Sequence, residues 1–413
     1  MDYHRRAIDN SLDELLPAAP AIALEGAKAV GKTRTARQRA AQEWRLDSAA
    51  DRDALRADPL LLRRPPHPAL VDEWQRLPET WDMARRWVDE GAAPGSLLIT
   101  GSASLPSGID THSGSGRILG LRMRPMALFE RGVTAAVSLS SLLDGSESIT
   151  GSTELRLPWY AEQITSSGFP GIRAAHPRIR EDLIDSYARN IVDRDLPEAA
   201  VSVRAPHTLR RWLAAYGAAS STTTAYNRIL NAALGPDGQQ PAKTTTMAYR
   251  EHLERIYVLD PVPAWSPSRS PFAALQAGPK HQLVDPALAA RLLSLTSTSL
   301  LGERGRHLLG PLFESLATLS VRVAAEAARA RVAHLRTNDG RREIDLIVEG
   351  RDGQILGIEV KLTQEVRDDD VRHLLWLRER CADVVDLVIV TTGTRAYRRS
   401  DGIAVVPLAL LGP

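Results

Sequence analysis

Two periodicities alternate along this chain, and the places where one gives way to the other outline its architecture. Short apolar runs at Ala21–Leu24, Ala69–Val71 and Ser96–Thr100 are too brief for helices and predict buried strands. Helical patterns intervene, one starting near residue 32 (the helix-forming run Arg34–Trp44) and one over Thr80–Asp89. Strand and helix in alternation predict a parallel sheet with helices on its faces. Between about 178 and 260 the pattern is helical only, as at Ile179–Val192 and Leu209–Ala218, with a polar breaker at Gly235–Pro241. The Pro- and Ser-rich stretch Pro261–Pro279 reads as a loop. A long helix over Phe313–Arg329 then precedes strands at Glu343–Glu349, Ile355–Val360 and Val385–Thr391. The expected fold is α/β and multidomain: residues 1–175 around a parallel sheet, a helical segment 176–265, and a second α/β domain 266–413.

A chain of 413 residues has room for two or three separate cores. Its formal net charge of +2 is close to balance, so overall charge declares no nucleic-acid partner. Phosphate contacts would have to come from local clusters such as Arg34/Arg37/Arg39, Arg210/Arg211 or Arg341/Arg342. Cys381 is the only cysteine, which excludes an internal disulfide and a cysteine zinc site and fits a reducing compartment. The first residues lead into an acidic amphipathic segment and not an apolar leader, and no stretch approaches eighteen apolar residues. A cytoplasmic protein without a membrane partner is expected.

The run Gly26-Ala27-Lys28-Ala29-Val30-Gly31-Lys32-Thr33 has the GxxxxGKT spacing of a phosphate-binding loop, placed between a predicted strand and a predicted helix. Glycines let backbone N–H groups curl around phosphate, Lys32 reaches the terminal phosphates, and the Thr33 hydroxyl ligates Mg²⁺. The loop and Arg34 after it are therefore the candidate ATP contacts. About forty residues on, Leu70-Val71-Asp72-Glu73 ends an apolar strand in two acids. Asp72 is the candidate Mg²⁺ ligand and Glu73 the candidate base or water-orienting group. Thr100, at the end of the third strand, is a candidate γ-phosphate sensor. Arg117 follows the flexible Ser113-Gly114-Ser115-Gly116 and is a candidate arginine finger, acting in cis or from a neighbouring subunit of a homo-oligomer.

These boxes together resemble the AAA-like ATPases of bacteria and archaea that carry a C-terminal DUF4143 domain. The resemblance rests on the phosphate loop, Val71-Asp72-Glu73-Trp74-Gln75, Leu98-Ile99-Thr100-Gly101-Ser102, and Gly116-Arg117 with Pro125 and Glu130. It continues through Gly168-Phe169-Pro170, Asp193-Arg194-Asp195, Asp285 and Glu343-Ile344-Asp345 to Glu359-Val360-Lys361. This chain departs from the family at Arg34, where a second small or hydroxyl residue is usual, and at Ser167-Gly168, where a glycine pair is usual. The resemblance implies a P-loop NTPase parallel sheet, a helical, winged-helix-like middle segment and a C-terminal restriction-endonuclease-like α/β domain.

Read from its residues alone, Asp345 on one strand and Glu359-Val360-Lys361 on the next have the D…ExK pattern of metal-dependent phosphodiesterases. Glu359 and Lys361 share a sheet face because they lie two apart. A two-residue hairpin loop would put Asp345 on the wrong face. A three-residue loop with Gly353 in the left-handed region sets Asp345 opposite Glu359, and that loop is expected here. Two adjacent carboxylates would then bind Mg²⁺, Lys361 would stabilise or activate the hydroxide, and Glu314 would complete the ligand set. Surface ion pairing is the competing reading. In the middle segment, helices Thr208–Ala218 and Thr244–Tyr257 fit either a helix-turn-helix, with Arg250, His252 and Arg255 facing phosphate, or a plain helical lid. The expected function is a Mg²⁺-dependent ATPase acting on DNA. The alternative is a nucleotide-gated binding or regulatory protein with slow turnover and a degenerate nuclease-like domain.

Overall fold

The computed structural model describes residues 3–101, 116–146, 148–198, 205–234, 243–265, 278–337 and 340–413. They form two compact units, each assembled from separate stretches of chain. The first comprises Met1–Arg124, Asp193–Val203 and Arg250–Val258, the second Pro125–Val192, Arg204–Tyr249 and Leu259–Pro413.

The first unit is built on a parallel sheet of β1 (Ala21–Glu25), β2 (Gln42–Arg45), β3 (Ala69–Asp72), β4 (Leu97–Gly101) and β5 (Leu119–Arg122), in the order β2-β3-β4-β1-β5. Alternate side chains of β1 enter different cores: Ile22 and Leu24 pack with Leu12, Leu70 and Leu98, while Ala21 and Ala23 pack with Val71, Ile99 and Trp74. Burial on both faces is why these strands read as continuous apolar runs. The helix after the phosphate loop is shorter than its pattern, spanning Lys32–Arg37 only. The end of the expected helix is strand β2, because Gln42–Arg45 pairs in parallel with Ala69–Asp72 and tertiary pairing outweighs local propensity. Parallel strands bring their carboxyl ends to one edge, so Asp72 pairs with Thr100, and Glu25 lies one position further along, opposite Gly101.

The second unit holds a short parallel pair, β6 (Val137–Ser138) with the later β14 (Leu411–Gly412), and a seven-stranded mixed sheet. That sheet contains β7 (Gly151–Ser152), β8 (Arg331–Arg336), β9 (Glu343–Glu349), β10 (Ile355–Lys361), β11 (Val384–Thr391), β12 (Arg395–Arg398) and β13 (Ala404–Pro407), ordered β7-β12-β13-β11-β10-β9-β8. Helices lead into it, including Pro177–Asn190 and Pro206–Ala218. Between the two helices expected to form a helix-turn-helix the chain inserts a third, Tyr226–Ala232. The breaker Gly235–Pro241 and most of Pro261–Pro279 lie outside the described residues. Helix Arg306–Ala327 is long and apolar enough to cross a membrane, but most of it is buried inside this unit.

Candidate nucleotide site and a second charged centre

Backbone geometry makes the phosphate loop. Gly26 has φ +150°, where a Cβ would overlap the Met123 carbonyl oxygen, and Gly31 has φ +107° as the residue preceding helix Lys32–Arg37. Ala27 and Val30 anchor the loop in the core, while Ala29 lies exposed with φ +65°. The Lys32 ammonium is buried and donates to the carbonyl oxygens of Gly26 and Ala27, both at 2.9 Å. Burial pulls its pKa down to about 8, against the pull of Glu73 and Asp72 in the other direction. From the strand ends, Asp72 accepts hydrogen bonds from Thr33 Oγ1 at 2.8 Å and from the Thr100 hydroxyl. Glu73 follows in a left-handed conformation, φ +57°, an uncommon one for a non-glycine residue. Gln75 Nε2 holds its Oε2 at 2.6 Å. Burial raises the Glu73 pKa, partly offset by Lys32.

Several supporting residues carry no local sequence signal. Arg6 donates to the Val30 and Arg124 carbonyls, tying the N-terminal segment to the loop. Asp9 gathers Tyr3, Arg39 and the Arg6 backbone, and the Tyr3 hydroxyl also meets Thr35. Lys28 of the loop pairs with Asp195 at 2.6 Å, and Tyr257 donates to Glu25 at 2.8 Å. Asp195 belongs to the Asp193-Arg194-Asp195 box of the family resemblance. Arg34 is exposed. Arg117 is not brought to the phosphate edge: Leu119 pairs with Ile22, so Arg117 lies at the amino end of β5, where it meets Asp89 at 2.5 Å. Ser102 and Ser113–Ser115 lie outside the described residues.

In the second unit the hairpin has the expected loop. Gly350 N–H bonds to the Gln354 carbonyl, Gly353 takes φ +88°, and Glu349 pairs with Ile355. Continued one position past the Leu346–Ile358 pair, this register sets Asp345 across from Glu359. Glu314, Asp345, Glu359 and Lys361 do converge, with Lys361 Nζ at 2.7 Å from Glu359. What the sequence reading missed is Lys280. Its ammonium, with no exposed surface, lies 2.8 Å from Glu314, 3.0 Å from Asp345 and 3.4 Å from Glu343. Burial, then the Asp345 charge, pushes Glu314 up to about 8, and the same two causes raise Glu359 well above the carboxylate range. Burial also acts against an ionised Asp345, but Lys280, Lys361 and the Val360 N–H outweigh it and hold its pKa low. Elsewhere in the second unit, Asp285 accepts from Ser167 Oγ and the Gly168 N–H and caps helix Pro286–Leu292. This knot explains the departure at Ser167, which takes φ +65° and recovers a side-chain bond there.

Comparison with known proteins adds three matches. Residues 18–131 match an AAA domain, 309–411 match a domain of unknown function, DUF4143, and 157–299 match another, DUF8612. The chain joins an AAA domain to a DUF4143 domain. It therefore carries a nucleotide-binding domain of the AAA ATPase type. Uncharacterized proteins of Mycobacterium tuberculosis and Mycobacterium bovis are each 27% identical to it, over 98% of this chain and 84% of theirs. A Walker-type ATPase of Pyrococcus abyssi aligns over 70% of this chain and 96% of its own, with 13% identity and a TM-score of 0.40. Glu314, Asp345, Glu359 and Lys361 belong to the DUF4143 match, whereas Lys280 comes from the DUF8612 match.

Proposed function

We propose that the AAA domain hydrolyses ATP with Mg²⁺ and that the second unit engages DNA without cutting it. The observation carrying the first part is the placement of Asp72 and Glu73 on successive residues with different tasks. Asp72 is bonded to the Thr33 and Thr100 hydroxyls, whereas Glu73 is turned by its left-handed backbone and held by Gln75. Thr33 and Asp72 supply the hard oxygen donors that suit Mg²⁺. Bound there, Mg²⁺ would offset charge on the terminal phosphates. Lys32 would exchange its two carbonyl partners for phosphate oxygens, a stronger charge-assisted contact. Glu73, whose raised proton affinity suits a base, would orient and deprotonate the attacking water. Thr100 acts as a positioning residue for Asp72. Arg117 would reach a nucleotide only from another subunit, so sedimentation with and without ATP tests whether a homo-oligomer forms.

For the second unit, the support is a pair of arginines on the face of helix Asp368–Arg380. Arg372 Nε lies 3.2 Å from His373 Nε2, Arg342 stands over the Trp376 ring at 5.9 Å, and both charges depress the His373 pKa after the larger effect of burial. Such a pair suits a phosphate backbone. On helix Lys243–Arg255, by contrast, Arg250 and Arg255 pair with Glu254 and Glu251. ATP turnover measured alone and with double-stranded, single-stranded and branched DNA tests both parts. Stimulation that Arg342→Ala/Arg372→Ala abolishes is expected. Turnover that no DNA form alters, with no DNA binding at low salt, would leave the nucleotide-gated regulatory reading.

A further inference from the structure

The acidic centre of the second unit has the residues of a metal site but not the space for a metal. An ammonium about 3 Å from oxygens of both Glu314 and Asp345 lies between them. A divalent ion would need to sit about 2.0–2.6 Å from those same oxygens, overlapping the nitrogen and repelled by its charge. Of the remaining oxygens, two are engaged and Glu359 Oε1 is buried without a hydrogen-bond partner. Asp345 Oδ2 accepts the Val360 N–H at 2.9 Å, and Glu359 Oε2 accepts Lys361 at 2.7 Å. Among the described residues no group of three or more His, Cys, Asp or Glu side chains is arranged to hold a metal ion.

Lys280 is also poorly able to leave. Its backbone exchanges two hydrogen bonds of 2.9 Å with Val262, and its side chain is fully covered. Expelling it would strand a buried ammonium or require that bridge to open, either of which is costly. We propose that Lys280 is the built-in cation of this centre, standing where a nuclease of this pattern would hold a divalent ion, so that the native protein binds no Mg²⁺ or Mn²⁺ there. The charge comes from outside the DUF4143 segment, so a DUF4143 domain read by itself would look like a metal site.

The test uses the full chain in an Asp72→Asn background, which removes the metal-binding carboxylate of the AAA domain. Manganese is titrated in without nucleotide, with bound Mn²⁺ read by electron paramagnetic resonance and stability by thermal unfolding. With Lys280 present, no bound Mn²⁺ and no rise in Tm are expected at millimolar metal. Lys280→Met is expected to acquire one Mn²⁺ site, to gain Tm with metal, and to lose the site again on Glu359→Gln. A Lys280→Met protein that folds only after Mn²⁺ is added supports the proposal equally. Should it fold under neither condition, Lys280→Met/Asp345→Asn decides, since removing one charge of each sign must restore folding if Lys280 serves as counter-charge. Failure of that double variant would overturn the proposal. So would a Mn²⁺ site in the Lys280 protein that Glu359→Gln abolishes, or a folded Lys280→Met that binds no metal. None of these outcomes depends on ATP turnover or DNA binding.

Discussion

Both units bury a lysine beside carboxylates, yet the two lysines are held by different partners, and that difference separates a site that can take a ligand from one that is closed. Lys32 bonds to two neutral carbonyl oxygens, with Glu73 and Asp72 acting on it only through their charge. Its burial is poorly compensated, its pKa falls, and an anionic phosphate would improve its surroundings. Lys280 is bonded directly to carboxyl groups, the ionised Asp345 among them, and its pKa is driven upward by Asp345, Glu314 and Glu343 despite the opposing effect of burial. A buried cation is therefore a binding group when neutral acceptors hold it and a structural one when carboxylates do.

Breaking the closed centre should give the largest effect. In metal-free buffer Lys280→Met leaves buried acids without their cation and should cost about 3–5 kcal/mol by denaturant unfolding. The loss should shrink as pH falls and the acids take up protons. In the native protein Glu314 keeps its proton up to about 8, whereas an unfolded glutamate releases it near 4.5. The folded state therefore binds more protons over that window, so this group's contribution to stability declines as pH rises from about 4.5 to 8. A Lys280→Met protein as stable as the parent at pH 7 would make the two lysines equivalent and undo the contrast.

The open site should fail through chemistry and not through folding. Glu73→Gln is expected to lower ATP turnover by about a hundredfold or more while nucleotide affinity persists, since a base acts in the transition state. Equal loss of binding and turnover would make Glu73 structural.

Protons sharpen the contrast at a smaller scale. With its pKa near 8, Lys32 is partly neutral above that pH, and an adjacent polyphosphate restores its charge. Calorimetry in buffers of different ionisation enthalpy should show proton uptake on ATP binding at pH 8.5 that fades by pH 7. The linked stability has the opposite slope to that of Glu314. Between about 8 and 10.5 the unfolded lysine binds more protons than the native one, so the burial penalty is relieved as pH rises. The smallest expected effect is at Asp195. Asp195→Ala removes this contact of Lys28, and ATP affinity should change by no more than about fivefold, because such a part-exposed pair is worth less than about 1 kcal/mol.

What the sequence determined by itself was chemistry whose partners are close along the chain. The GKT loop follows directly on its strand, and the Asp72-Glu73 pair ends another. The Arg351-Asp352-Gly353 loop specifies its own turn and so puts Asp345 and Glu359 on one face. Tertiary structure alone decided the rest. Gln42–Arg45 became a strand because β3 offered it a partner, and Arg117 went to the amino end of its strand because Leu119 pairs with Ile22. Above all, Lys280 lies 34 residues before Glu314 and 65 before Asp345, at the end of what reads as a Pro- and Ser-rich loop. No periodicity or spacing connects a charge to acids so distant in sequence. Only folding brings them within 3 Å, and at that distance inside a buried centre the partner of a charge determines whether it can bind anything else.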